Sequence, residues 1–142
     1  MINRLIESIS IALNDEFGDG YTIYTDSVKQ GLKEPCFFIF CLNPEKKPYM
    51  GNRDLRKNNF CIQYFPADSN NANEECNAVA ERMYSCLEYI NVSGNLKRGT
   101  KMNYKIVDEV LNFFVDYDLF VYKDIIETTT MQELTKNITA KG

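Results

Sequence analysis

The chain has 142 residues, 44% hydrophobic and 25% charged, with a formal net charge of −4 and a pI near 4.9. That length supports one domain able to bury roughly two thirds of the surface its unfolded chain exposes, and the acidic balance argues against a bulk electrostatic grip on nucleic acid. Histidine is absent, which excludes Ser-His and Cys-His nucleophilic systems and every histidine-containing metal site.

Nine Phe and nine Tyr without a Trp favour strands over an all-helical bundle. No apolar run approaches the roughly 18 residues of a membrane-spanning helix. The N-terminus, Met-Ile-Asn-Arg-Leu-Ile-Glu, lacks the basic-then-apolar layout of a signal peptide, so the chain is expected to stay in the cytosol where it is made. Cysteines stand at 36, 41, 61, 76 and 86 with no Cys-x-x-Cys pair. In a reducing compartment they read as small buried hydrophobes rather than disulfides or zinc ligands.

In residues 2–17, Ile2, Leu5, Ile6, Ile9, Ala12, Leu13 and Phe17 recur at spacings of three and four, which predicts a helix with one apolar stripe. Gly18 is placed to end it in a left-handed conformation. Tyr21-Thr-Ile-Tyr-Thr25 reads as a strand, with a possible continuation toward Val28 and Leu32. The run Cys36-Phe-Phe-Ile-Phe-Cys-Leu42 is bounded by Pro35 and Pro44 and is too short for a helix, its rival reading. Alternation puts Phe37, Ile39 and Cys41 on one face and Cys36, Phe38, Phe40 and Leu42 on the other. Both sets are apolar, so this strand is expected to be central and covered on both sides.

Residues 43–59 are polar and carry two prolines and five basic residues. They read as an excursion between strands, an extended arm bending near Gly51. Phe60–Phe65 is the next strand, ended by Pro66. A second helix follows, with Asn73 as its N-cap, Glu74 and Glu75 at the positive end of its dipole, and an apolar stripe from Cys76 through Leu87 to Ile90. Gly94 and Gly99 mark a turn-rich link. Residues 102–110 and 111–122 then read as two strands. In the second, Phe113, Val115, Tyr117, Leu119 and Val121 line one face, and Asp116 and Asp118 sit opposite, between Phe114 and Phe120. From Ile125 only a weak helical pattern (Met131, Leu134, Ile138) is visible.

The expected architecture is one α+β domain over residues 1–123. It has a mostly antiparallel sheet of about five strands, in the order α-β-β-β-α-β-β, with two helices packed on one face. Residues 124–142 read as a C-terminal tail, either a short helix or a segment that orders only on assembly.

Chemical motifs are sparse. The glycines form no phosphate-cradling pattern, and Gly18-Asp19-Gly20 lacks the alternate oxygen ligands of a calcium loop. No cofactor is expected. Three surfaces invite attention. Lys46, Lys47, Arg53, Arg56 and Lys57 surround Tyr49 in the arm, a nucleic-acid-like composition diluted by Glu45 and Asp54. Asp116 and Asp118 are same-face carboxylates that could do acid–base work if one had a raised pKa, or could be a solvated or interface-facing stripe. Phe114, Phe120 and Tyr122 beside them are more aromatic surface than a monomer usually leaves bare. The candidate interface residues are therefore Lys46, Lys47, Tyr49, Arg53, Arg56, Lys57, Asp116, Asp118 and Phe120. A nucleic-acid-binding module using residues 46–57, and a small hydrolase using Asp116 and Asp118, stand as alternatives to a protein–protein role.

The phrases "LNDEFGDGYTIYTDSVKQGLKEPCFFIFCLNP", "FCIQYFP", "NEECNAVAERMYSCLEYI" and "RGTKMNYKIVDEVLNFFVDYDLFV" resemble the phage tail terminator family, small proteins of tail-gene clusters in phages and prophages of Gram-positive bacteria. The resemblance spans about residues 1–123 and contains no catalytic motif. It implies a non-enzymatic structural protein with a sheet flanked by helices. Such proteins form a hexameric ring that caps the head-proximal end of a tail tube, stops its polymerisation and offers a head-joining surface. Phage-tail-like bacteriocins use such a cap too. The implied partners are further copies of the chain, the tail tube protein, and the sheath and head–tail connector proteins, with no membrane and no specific nucleic-acid recognition. The implied location is the bacterial cytoplasm during assembly and then the virion or tail particle.

Overall fold

Helix α1, Ile2–Phe17, forms where the apolar stripe predicts it and buries Leu5, Ile9, Leu13 and Phe17. The computed structural model describes residues 1–25, 31–67 and 69–122. Gly18 ends α1 with φ +84°, and its N–H donates to Asn14 O at 2.8 Å. Its ψ of −172° is extended, so the chain leaves the helix without closing a left-handed turn.

Strands β1 (Thr22–Tyr24), β2 (Cys36–Cys41), β4 (Arg53–Phe65), β8 (Val110–Tyr122) and β7 (Thr100–Val107) lie in that spatial order, and β3 (Glu45–Pro48) pairs with β4. These six strands form one mixed sheet. β1 runs parallel to β2, β2 antiparallel to β4, and β7 antiparallel to β8. Helix α2, Ala72–Cys86, follows a single 3-10 turn at Ser69–Asn71. A separate hairpin pairs β5 (Tyr89–Val92) with β6 (Asn95–Arg98). The fold is α+β, as expected. The five expected strands are β1, β2, β4, β7 and β8; β3, β5 and β6 are additional.

Both helices cover the same face of the sheet. Phe17 of α1 meets Phe37 of β2 at a ring separation of 5.0 Å, and Tyr84 of α2 meets Phe113 of β8 at 5.1 Å. Register puts Phe37 opposite Tyr64 and Ile39 opposite Ile62, so these side chains share the helix-covered face. Arg82 joins the helices: its guanidinium lies 4.2 Å from the Phe17 ring centroid, and its Nε donates to Glu16 at 2.9 Å.

Three boundaries differ from expectation. The expected polar arm is mostly a β-hairpin, and β4 begins at Arg53 rather than Phe60. Its early inward positions carry Asp54 and Asn58, both buried. Asn58 Nδ2 donates to Tyr117 O at 3.0 Å, so a polar side chain satisfies an inward position and hides the alternating pattern. The bend at Gly51 stands, with φ +72°. Helix α2 is capped at Asn71, not Asn73, and stops at Cys86, because Ile90 belongs to β5. The break between β7 and β8, expected between residues 110 and 111, falls earlier, where Asp108 and Glu109 make a two-residue turn with φ +51° and +63°.

Coverage of β2 also differs. Cys36 through Ile39 are buried, but Phe40 is 39% exposed and Leu42 54%. β1 is only three residues long and reaches no further along β2 than Phe38. Of the expected continuation, Val28 lies outside the described residues and Leu32 is in no strand. The tail containing Ile125, Met131, Leu134 and Ile138 also lies outside the described residues.

The chain divides into two compact units: Met1–Glu45 with Lys57–Leu119, and Lys46–Arg56 with the chain from Phe120 onward. The first holds both helices and the core. The described part of the second consists of the β3–β4 turn region and the last residues of β8.

Candidate functional site

In the second unit, three of the expected residues come together. Tyr49 and Phe120 approach edge to face at 4.9 Å between ring centroids. The Arg53 guanidinium lies 5.3 Å from the Tyr49 centroid and 5.0 Å from that of Phe120. Tyr49 N–H donates to Arg53 O at 3.0 Å, which closes the turn that holds these side chains together. Tyr49, Met50, Phe120 and Tyr122 all remain exposed, Met50 and Tyr122 by about three quarters (76% and 75%). Lys46 pairs with buried Asp54 at 3.6 Å. Lys47 is exposed and Arg56 half-buried. Such a surface can seat an acidic or aromatic partner, since the arginine is held by rings rather than by a carboxylate.

In the first unit, Asp116 is half-buried and Asp118 exposed on the sheet face away from the helices. Burial raises the Asp116 pKa, Asp118 adds to the rise, and Lys101 and Lys57 oppose it. Lys57 thus belongs to the field of the aspartate pair rather than to the hairpin surface. Phe120, grouped with the aspartates by sequence spacing, packs in the cluster with Tyr49 and Arg53. Four surface recesses of about 260–430 Å³ are lined by residues other than Asp116 and Asp118.

One of these recesses, about 260 Å³, was not anticipated. It is lined by Glu34, Asp108 and Glu109 together with Phe65, Pro66 and Ala72. Among the described residues no ion pair engages its three carboxylates. The usable signal was the acidic Asp108-Glu109 pair between two strand patterns.

The cysteines are packing residues as their environment has it. Cys36, Cys61 and Cys76 are buried. Burial is the leading cause that raises every one of the five thiols, and Cys86, with Glu16 adding to the effect, is pushed up to about 12. A reactive thiolate needs the opposite environment. Among the described residues no group of three or more Cys, Asp or Glu is placed to hold a metal ion, and no helix is long and apolar enough to cross a membrane.

Residues 4–129 match the family described as phage tail terminator protein. The chain belongs to that family. No curated protein matches it. The terminator chain is accordingly a structural component of a phage tail, with a role in tail assembly and in the virion or tail particle, and it interacts with other tail components.

Proposed function

We propose that this chain is the tail terminator itself: copies close into a hexameric ring on the head-proximal end of a tail tube, end its polymerisation and present the surface to which a head is joined. The observation that carries the reading is the family match across 126 of 142 residues, positions 4 to 129. The surfaces support it. A closed ring uses heterologous contacts and so needs two different patches on each subunit. The cationic aromatic cluster of Arg53 and the acidic Glu34–Asp108–Glu109 recess are two such patches, each on a different unit of the chain.

On this reading the partners are further copies of the chain, the tube protein, and the sheath and head–tail connector proteins. No catalytic role is proposed. The test is the mass of the purified chain over a hundredfold concentration range, by light scattering after size exclusion, with and without its tube protein. A hexamer, or a monomer that becomes one on tube ends, is expected. A monomer at every concentration that ignores the tube overturns the proposal.

A further inference from the structure

Lys46–Arg56 carries Lys46, Lys47, Arg53 and Arg56 against Asp54, a surplus of three positive charges. The whole chain stands at −4, so the remaining residues together stand at −7. The charge of this chain is thus segregated: a basic hairpin on an acidic protein. Opposite patches on one subunit favour association between copies and set its register.

The acidic recess has the form of a receiving site. Glu34, Asp108 and Glu109 line it together with Phe65, Pro66 and Ala72. Several carboxylates elsewhere on the chain already have a cation near them. Glu16 is engaged by Arg82, Glu88 by Arg98 and Asp54 by Lys46, and Asp116 has Lys57 and Lys101 in its field. No ion pair among the described residues engages Glu34, Asp108 or Glu109, and the three do not form a metal-binding group. Asp108 and Glu109 are fixed in place by the tight turn between β7 and β8.

The donor is equally distinct. Arg53 meets two aromatic rings and, among the described residues, no carboxylate. The rings restrict the guanidinium before any partner arrives, which lowers the entropy cost of docking. Tyr49 and Met50, in the same turn region, are exposed apolar groups that can meet Phe65 and Pro66 of the recess lining. Donor and recess are built from different residues of the chain, as a head-to-tail contact needs.

We propose that the β3–β4 hairpin of one copy docks on the acidic recess of a second copy of this chain, with Arg53 entering among Glu34, Asp108 and Glu109 and Tyr49 and Met50 covering its rim. The inference rests on the ring reading and names the contact that closes it.

The experiment uses the full chain and two charge reversals, Arg53→Glu and Glu109→Lys, followed by sedimentation across concentration, with circular dichroism to check the fold. Each variant alone raises the concentration needed for association about tenfold or more. Mixing the two in equal amounts restores it, because an alternating ring pairs reversed hairpin with reversed recess and native hairpin with native recess. Should Glu109→Lys fail to fold, Glu34→Lys takes its place. Wild-type association that neither reversal weakens overturns this contact and leaves the ring standing. Folded variants whose mixture stays dissociated also overturn it. A wild-type chain that never self-associates overturns contact and ring together. Salt-dependent binding to duplex DNA that Arg53→Glu abolishes, with association unchanged, assigns the hairpin to nucleic acid and overturns the contact.

Discussion

The hydroxyl of Tyr117, on β8, donates to the backbone carbonyl of Leu87, at the end of α2, at 2.5 Å. The same carbonyl would lie 2.7 Å from a Cβ at position 99, and Val115 Cγ2 would lie 2.8 Å from it. One helix terminus therefore meets a buried tyrosine and a glycine at a single point. Gly99 also donates its N–H to Glu88 O at 2.7 Å. Only glycine fits there, because both obstructing atoms belong to packed elements.

Gly99→Ala should cost about 3 kcal/mol through overpacking. Tyr117→Phe keeps the ring and should cost about 1–2 kcal/mol, the loss of one buried hydrogen bond. Urea unfolding of dilute protein measures both. Equal costs would show that the hydrogen bond, not the space, dominates at this point.

The turn at Asp108 and Glu109 holds two non-glycine residues at positive φ. Two-residue turns of this kind favour Asn-Gly. Replacing the pair, Asp108→Asn with Glu109→Gly, should stabilise the dilute chain by about 1 kcal/mol, since a non-glycine residue in this region costs roughly 1–2 kcal/mol. A thermal melt reads the change, and an unchanged or lowered midpoint contradicts it.

Asp116 has a pKa raised by burial and by Asp118. A carboxyl whose folded pKa lies above its unfolded value adds stability below that unfolded value, 3.8, and loses it as pH rises through the folded one. At neutral pH the ionised group is therefore unfavourable. Asp116→Asn should raise the midpoint of unfolding at pH 7, and the gain should vanish below about pH 3.8. Destabilisation at pH 7 would show that Lys57 and Lys101 outweigh burial.

The five raised thiols and the buried hydroxyls of Tyr64 and Tyr117 predict alkaline weakening. Burial raises the phenols, and the hydrogen bond to Glu75 adds to the rise at Tyr64. The unfolded chain releases these protons above pH 9.0 for thiols and 10.0 for phenols, while the folded chain retains them. Stability is then full below pH 9 and falls as pH rises beyond it. Urea midpoints from pH 7 to 10.5 test the sign. A thiol reagent at pH 8 should also leave Cys36, Cys61 and Cys76 unmodified in the folded chain and reach all of them in urea.

Much of the fold is written in local pattern. The spacing of Leu5, Ile9, Leu13 and Phe17 determined α1, and alternation from Phe113 to Leu119 determined β8, because each element buries one face and its period shows directly. The lack of histidine and of phosphate or metal motifs was equally legible, and the family could be recognised from contiguous phrases. Tertiary structure alone decided what depends on partners distant in sequence. Asp54 and Asn58 sit at inward strand positions because Lys46 and the Tyr117 carbonyl receive them, which no local period reveals. Phe120 meets Tyr49 and Arg53, and Glu34 joins Asp108 and Glu109 around one recess. Sequence fixes periods and side-chain chemistry, whereas a surface is made by chain crossings, and those are set only when the sheet is assembled.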